Sequence, residues 1–494
     1  MGLTTYKMLI NGKWVSGSTG ETFSRVNPAN PREVLGKFQK GNKEDVDRAV
    51  DAAQDAFENW RLTPPPARGK ILLKFSYLLE QEKEKLARTM TAEMGKVLKE
   101  TRGDVQEAID AAEYMAGEGR RLFGRTTTSE LRNKFAMTVR EPLGVVAAIT
   151  PWNFPIAIPA WKITAALVCG NTVVMKPSSD TPICATRFME LLEMAGAPKG
   201  VVNMVTGPGG TVGSRLASHK KVRAVSFTGH RDTGAEIMKS AGVGKRVGME
   251  MGSKNVTIVM DDADLKLALD GVIWGAFGTT GQRCTASSRV VVHKKVRQKF
   301  ERMLVERSKK IAVGDGLEKK TEMGPLVNEA AREKVKSYVE IGKKEGARLV
   351  SGGSAPKRDG WFYRPTIFTD AESDMRICQE EIFGPVLSVI EAKDFEDAVD
   401  ISNGVDYGLS SSIYTNRVQD TMRAIRDLQF GITYINSPTI GAEVHLPFGG
   451  SKSSGNGWKE VGWTGVQFFS EEKSVFVDYS GKLQKAQIDT DEKG

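Results

Sequence analysis

The chain has little of the residue types that build metal centres and disulfide frameworks: cysteine and histidine occur four times each in 494 residues. Cys169, Cys184, Cys284 and Cys378 lie far apart, no C-x-x-C pair is present, and the histidines do not cluster. That spacing argues against both a zinc site and a disulfide scaffold, so no metal is expected. Long apolar runs are also missing. The most apolar stretch, 143–169, is interrupted by Pro151, Asn153, Pro155, Pro159 and Lys162, which a membrane-spanning helix would not carry. The opening MGLTTYKMLINGKWV lacks the basic-then-apolar pattern of a secretory signal, and a cytoplasmic protein is expected. Nor is charge of one sign gathered in one place. Seventy Lys and Arg are dispersed among 61 Asp and Glu, giving a net charge of +9. This reads as solvated surface and not as a nucleic-acid stripe, although it favours anionic small molecules such as phosphates and carboxylates.

What is present is an ordinary globular composition, 40% apolar and 27% charged, in a chain long enough for two or three domains. Residues 42–124 are rich in Ala, Glu, Lys and Leu, with apolar positions such as Val46, Ala49, Val50, Ala53 and Phe57 at helical spacing, which predicts helices. From Pro142 the texture changes to short β-branched runs at 144–150, 171–176, 201–205 and 222–227, each followed by a helical stretch. A second alternation has its runs at 256–260, 289–293, 386–391 and 411–415. Strands separated by helices predict parallel sheets, with ligands at the carboxyl ends of the strands. The polar–apolar alternations at 126–140 and 473–479 have no obvious neighbour, which suggests a small sheet completed by another subunit.

Cys284 follows the small, flexible run 275–280 and is expected on a loop leading into a strand, where a neighbouring Arg283 would lower its pKa. By itself it reads equally as a small buried hydrophobe. Glu250 sits in Gly248-Met249-Glu250-Met251-Gly252, where desolvation would raise its pKa and make it a base, although a strand-end acid satisfied by backbone N–H groups has the same pattern. Asn153, in Pro151-Trp152-Asn153-Phe154-Pro155, has the carboxamide of an oxyanion donor or of a helix cap.

Seven motifs in order change the weight of these isolated signals: PWNFP at 151–155, VVMKPS at 173–178, SFTG at 226–229, GMEMG at 248–252, GQRC at 281–284, EEIFGPV at 380–386 and PFGGSKSSGNG at 447–457. Over nearly its whole length the chain resembles the aldehyde dehydrogenase superfamily. The resemblance implies an α/β fold with a Rossmann-type cofactor domain over 1–122 and 142–252, an α/β catalytic domain over 253–455, and bridging strands over 123–141 and 470–494. It implies a homodimer or homotetramer, with no nucleic acid or membrane partner.

The same resemblance implies that Cys284 attacks the aldehyde, that Asn153 holds the oxyanion, that Glu250 activates the water that hydrolyses the thioester, and that Lys162 serves proton exit. NAD or NADP would be held by Thr150, Pro151, Trp152, Lys176, Ser178, Ser179, Phe227, Thr228, Gly229, His230, Gly252, Glu381 and Phe383. His230 and Arg231 replace the small hydroxyl residues usual after SFTG, which changes the expected pyrophosphate contact. Gly207-Pro208-Gly209-Gly210 lacks the third glycine of a dinucleotide loop and is expected to be a turn. Ser179 stands where many NAD-preferring relatives carry glutamate, so NADP is expected to be accepted.

For the substrate, Phe154, Ile158 and Trp161 fall on one helical face and would form an apolar tunnel. Arg283 is the cation expected to meet a distal carboxylate, the alternative being that it is held in a structural salt bridge. The segment 439–446 and the tail Asp478-Tyr479-Ser480-Gly481 are similar to branches that oxidise dicarboxylic ω-semialdehydes, including antiquitin-like enzymes. A semialdehyde of succinate, 2-oxoglutarate or aminoadipate is the expected substrate. The alternatives are a broad-specificity enzyme for uncharged aldehydes and a non-catalytic structural relative.

Overall fold

The computed structural model describes residues 3–488, so the last six residues of the expected bridging segment lie outside the described part. Helices Lys43–Trp60, Pro65–Gln81, Lys83–Met94 and Leu98–Glu118 occupy the Ala- and Glu-rich stretch. The first is started by a capping box, in which Asn42 accepts from the Asp45 N–H and the Asp45 side chain accepts from the Asn42 N–H. Among the described residues no helix is long and apolar enough to cross a membrane.

The β-branched runs form two seven-stranded sheets. In spatial order the first is Arg246–Met251, Val222–Gly229, Val145–Ile149, Thr172–Lys176, Val202–Met204, Met8–Ile10 and Lys13–Val15. Its first five strands are parallel, and the last two add an antiparallel edge. Val145–Ile149 and Thr172–Lys176 are buried at every position, as strands covered by helices on both faces must be. The second sheet runs Arg348–Ser351, Thr366–Thr369, Val386–Ala392, Arg289–His293, Val256–Val259, Ser410–Tyr414 and Ile432–Ile435, and only its first pairing is antiparallel.

Three features differ from the sequence reading. The two alternations, whose patterning alone suggested completion by another subunit, form the small bridging sheet that the resemblance implies: Lys134–Pro142 runs antiparallel to Ser470–Asp478, from Ser470 opposite Pro142 to Asp478 opposite Lys134, and Thr126–Thr128 adds a third strand. The pairing spans more than three hundred residues, so no local signal shows it. Gly209–Gly213, expected as a turn, is wound helically and runs into the short helix Ser214–Ser218. An N-terminal sheet of Thr5–Tyr6, Asn30–Gln39 and Thr22–Asn27 has no counterpart in the sequence reading, because its longest strand, NPREVLGKFQ, is largely solvent-facing and charged.

Candidate active site

Two cavities meet at Cys284, and Thr228 and Met251 line both. Cys284 lies in the loop between the turn 278–281 and the strand Arg289–His293. That turn carries two consecutive left-handed residues, Thr279 (φ 53°) and Thr280 (φ 60°), at about 1–2 kcal/mol each. Tertiary bonds hold it. The Thr279 N–H donates to both Glu100 carboxylate oxygens (2.9 and 3.0 Å), Thr280 Oγ1 donates to the Gly324 carbonyl (3.0 Å), and Gln282 Oε1 accepts from the Val327 N–H (2.9 Å). Asn255 Nδ2 donates to the carbonyls of Cys284 (2.7 Å) and Ala286 (2.9 Å), which fixes the loop on both sides of the thiol.

The thiol does not have the depressed pKa expected from Arg283. Burial, followed by the carboxylates of Glu250, Glu381 and Glu107, pushes it up to about 12 against the pull of that guanidinium. Arg283 is itself engaged, with Nη2 3.3 Å from Glu100 and Nε donating to Thr279 Oγ1 at 2.8 Å.

Glu250 lies on the strand Arg246–Met251, buried, and among the described residues neither carboxylate oxygen has a well-formed hydrogen bond, the Gly450 N–H approaching it only weakly. Burial raises its pKa well above the usual carboxylate range, and the neighbouring Glu460 adds to the shift while Lys162 and Lys459 oppose it. Gly449 (φ 148°) makes room for it, since a Cβ there would lie 2.4 Å from Glu250 Oε1. Glu460 pairs with the fully buried Lys162 and accepts from Ser226 Oγ (2.8 Å), and Lys162 Nζ donates to the same hydroxyl (2.9 Å). Glu250 and Glu460 both line the first cavity. Glu460, Glu100 and Asn255 were not singled out in the sequence, because each acts through partners distant in the chain.

The first cavity is walled by Phe154, Ile158 and Trp161 with Leu409 and Phe448, and the Trp161 and Phe448 rings are 4.9 Å apart. Phe154 precedes the helix Ala157–Cys169, and the Ile158 N–H bonds back to its carbonyl (3.1 Å). Glu107 and Arg283 stand at its outer end, where a wider groove begins.

The second cavity is lined by Pro151, Trp152, Asn153, Thr228, Gly229, His230, Gly252, Glu381 and Phe383, and also by Lys334, which the sequence did not single out. Asn153 and Cys284 thus face one space. Glu381 is half-buried, its pKa raised by desolvation, and it accepts from the Ser253 N–H (2.8 Å). A Cβ on Gly252 would lie 2.3 Å from its carboxylate. Phe383 adopts φ 60° and packs edge-on against Trp152, with centroids 5.4 Å apart. His230 caps the helix Arg231–Ala241.

The remaining expected cofactor residues are placed differently. Thr150, Lys176, Ser178 and Ser179 lie at the carboxyl ends of Val145–Ile149 and Thr172–Lys176, beyond the cavity lining. Burial lowers the Lys176 pKa to about 8, and the ammonium has no hydrogen-bond or ion-pair partner among the described residues. Ser179 Oγ is 3.4 Å from the Gly207 carbonyl. Phe227 is a correction: its ring lies in the core beneath Gly229, because side chains alternate along the strand and this one faces inward.

The family model described as the aldehyde dehydrogenase family matches residues 14–475. An alpha-ketoglutarate semialdehyde dehydrogenase of Haloferax volcanii is 45% identical, over 96% of this chain and 99% of the relative. A 2,5-dioxopentanoate dehydrogenase of Saccharolobus solfataricus is 43% identical, over 94% and 98%. The crystal structure of a betaine aldehyde dehydrogenase from Staphylococcus aureus in complex with NAD+ superposes with a TM-score of 0.94 at 37% identity, covering 97% of this chain and 96% of that one. With a thiol shared by two cavities, a buried carboxyl beside it in the first, and a family match over nearly its whole length, the chain belongs to the aldehyde dehydrogenase family.

Proposed function

We propose that the chain oxidises an ω-carboxy semialdehyde of the 2,5-dioxopentanoate kind to the dicarboxylic acid, through a thioester on Cys284. The observation that carries the reading is the joining of an apolar tunnel, with Arg283 at its outer end, to the second cavity at a single thiol. The names of the two relatives at 45% and 43% identity point to the same substrate class.

Orphaned polar groups make a nicotinamide dinucleotide a chemical fit to the second cavity and the strand ends beside it. The Thr150 and Thr228 hydroxyls are buried without partners, the Lys176 ammonium is unpaired, and Gly252 leaves the Glu381 carboxylate uncovered. Glu381, Lys176 and the N–H groups beside His230 would hold it. Bound there, the cofactor supplies the acceptor for the two electrons and one proton that the aldehyde carbon gives up.

The protein's own groups do the rest. The Cys284 thiol gives up its proton to solvent water as its sulfur adds to the carbonyl carbon, and the oxyanion so formed is held by the Asn153 amide and the Cys284 N–H. After oxidation Glu250 takes a proton from water, whose oxygen attacks the thioester carbon and displaces the Cys284 thiolate. The Glu460–Lys162 pair beside Glu250 gives that proton a way out. The exposed edge of Ser470–Asp478, with Phe476 64% exposed, supports assembly into a dimer or tetramer.

A panel pairing each ω-carboxy aldehyde with its uncharged counterpart of equal length tests the substrate reading. The carboxylated members are expected to win by about tenfold in kcat/KM, about 1.4 kcal/mol, and parity would overturn it. The unpaired Lys176 and the absence of a carboxylate at Ser179 support use of NADP as well as NAD. Ser179→Glu is expected to lower the NADP-to-NAD ratio of kcat/KM by roughly 10–100-fold, because a carboxylate there repels a 2′-phosphate. An unchanged ratio would remove Ser179 from the adenosine site.

A further inference from the structure

Glu107, at the neck of the substrate tunnel, is a carboxyl without a partner. It projects from the helix Leu98–Glu118 and lines both the cavity that holds Cys284 and the outer groove, alongside Phe154 and Arg283. The other charged groups at the neck are engaged. Lys96 Nζ is fully buried 2.9 Å from Asp104, and Arg283 is bound by Glu100 and Thr279. Asp104 also accepts from the Ala157 N–H at 2.9 Å, so the pair is tied to the start of the helix that carries the tunnel wall. Glu107 makes no hydrogen bond and no ion pair among the described residues. Lys96 and Arg283 are thus already matched by Asp104 and Glu100, Asp110 accepts from Gln106, and ionisation of Glu107 adds a negative charge that no unpaired cation named here offsets.

We propose that Glu107 is a specificity-determining residue that admits a substrate carboxylate only while it carries its own proton, which it donates in a hydrogen bond to that carboxylate. The inference rests on the ω-carboxy reading above. Ionised, Glu107 would place a second negative charge beside the substrate's, and the ammonium and guanidinium nearby already have carboxylate partners. Glu107 is faced by Asp104 and Asp110 on its own helix, by Lys96 from the preceding turn, by Arg283 and Cys284 from the nucleophile loop, and by Tyr434 from the strand Ile432–Ile435. Enclosure, followed by the Asp104 charge, pushes its carboxyl up to about 8 against Lys96 and Arg283. The protonated donor is thus present below that pH and lost above it.

The test compares 5-oxopentanoate with pentanal at saturating cofactor from about pH 6.5 to about pH 9.5, taking the ratio of kcat/KM so that the titration of Cys284 and Glu250 cancels. In the wild type the ratio is expected to fall about tenfold across this range, and the inhibition constant of glutarate to rise in step. Glu107→Gln, whose amide donates at every pH, is expected to keep the ratio high and flat. Glu107→Ser, which removes the carboxyl outright, must also be flat. A high wild-type ratio that does not change with pH overturns the role of Glu107 and leaves the carboxylate reading standing. An equal fall in either variant does the same. A ratio near one at every pH, with no inhibition by glutarate, overturns the carboxylate reading itself.

Discussion

Replacing Cys284 with alanine is expected to lower turnover by about 10⁴-fold or more, roughly 5.4 kcal/mol, the scale reached when a covalent nucleophile is removed. The expectation follows from where the thiol sits. It is the one thiol that lines both cavities, and its loop is held by Asn255, just before the strand Val256–Val259, and by Glu100 from a distant helix. Cys169, Cys184 and Cys378 are buried and line neither cavity, so none can substitute. The check is steady-state formation of NADH or NADPH with the preferred aldehyde. Retention of more than about one per cent of the activity would mean that the carbonyl is oxidised without the sulfur.

Glu250→Gln separates the two halves of the reaction. Its carboxyl is buried with no side-chain hydrogen bond among the described residues and only a weak approach of the Gly450 N–H, which is the position of a group reserved for a transient partner such as water. The amide is nearly isosteric and cannot take a proton. Steady-state turnover is expected to fall by about 10²–10⁴-fold, while rapid mixing still yields a burst of about one reduced cofactor per active site. Equal losses in the burst and the steady state would place Glu250 before oxidation instead, as the base that ionises a thiol held up near 12.

The two α/β sheets were legible in the chain because buried parallel strands must be continuous β-branched runs. Val145–Ile149, Thr172–Lys176 and Arg289–His293 each fall within a residue of their expected bounds. Mixed-face strands were legible only where polar and apolar residues alternate, as in Lys134–Pro142 and Ser470–Asp478; Thr22–Asn27 and Asn30–Gln39 carry charge on an exposed side and form a sheet unforeseen from sequence. At the site, motif order pointed to Cys284, Glu250 and Asn153; Cys284 lines both cavities, with Glu250 beside it in the first and Asn153 in the second. The groups that position them could not be read from spacing. Glu100 reaches Thr279 across 179 residues, and Glu460 reaches Lys162 across 298. The expected pull of Arg283 on the thiol is present but outweighed, for the same reason. Proximity in sequence placed a cation beside Cys284, but the fold gives that cation to Glu100 and surrounds the sulfur with carboxylates.

The most direct measurement is the mass of the Glu250→Gln protein after mixing with oxidised cofactor and the preferred semialdehyde, followed by peptide mapping. The account predicts an adduct equal to the acyl group, one per chain, on the peptide that contains Cys284 and absent when Cys284 is also replaced. Full turnover with no adduct, or an adduct on any other residue, would contradict it.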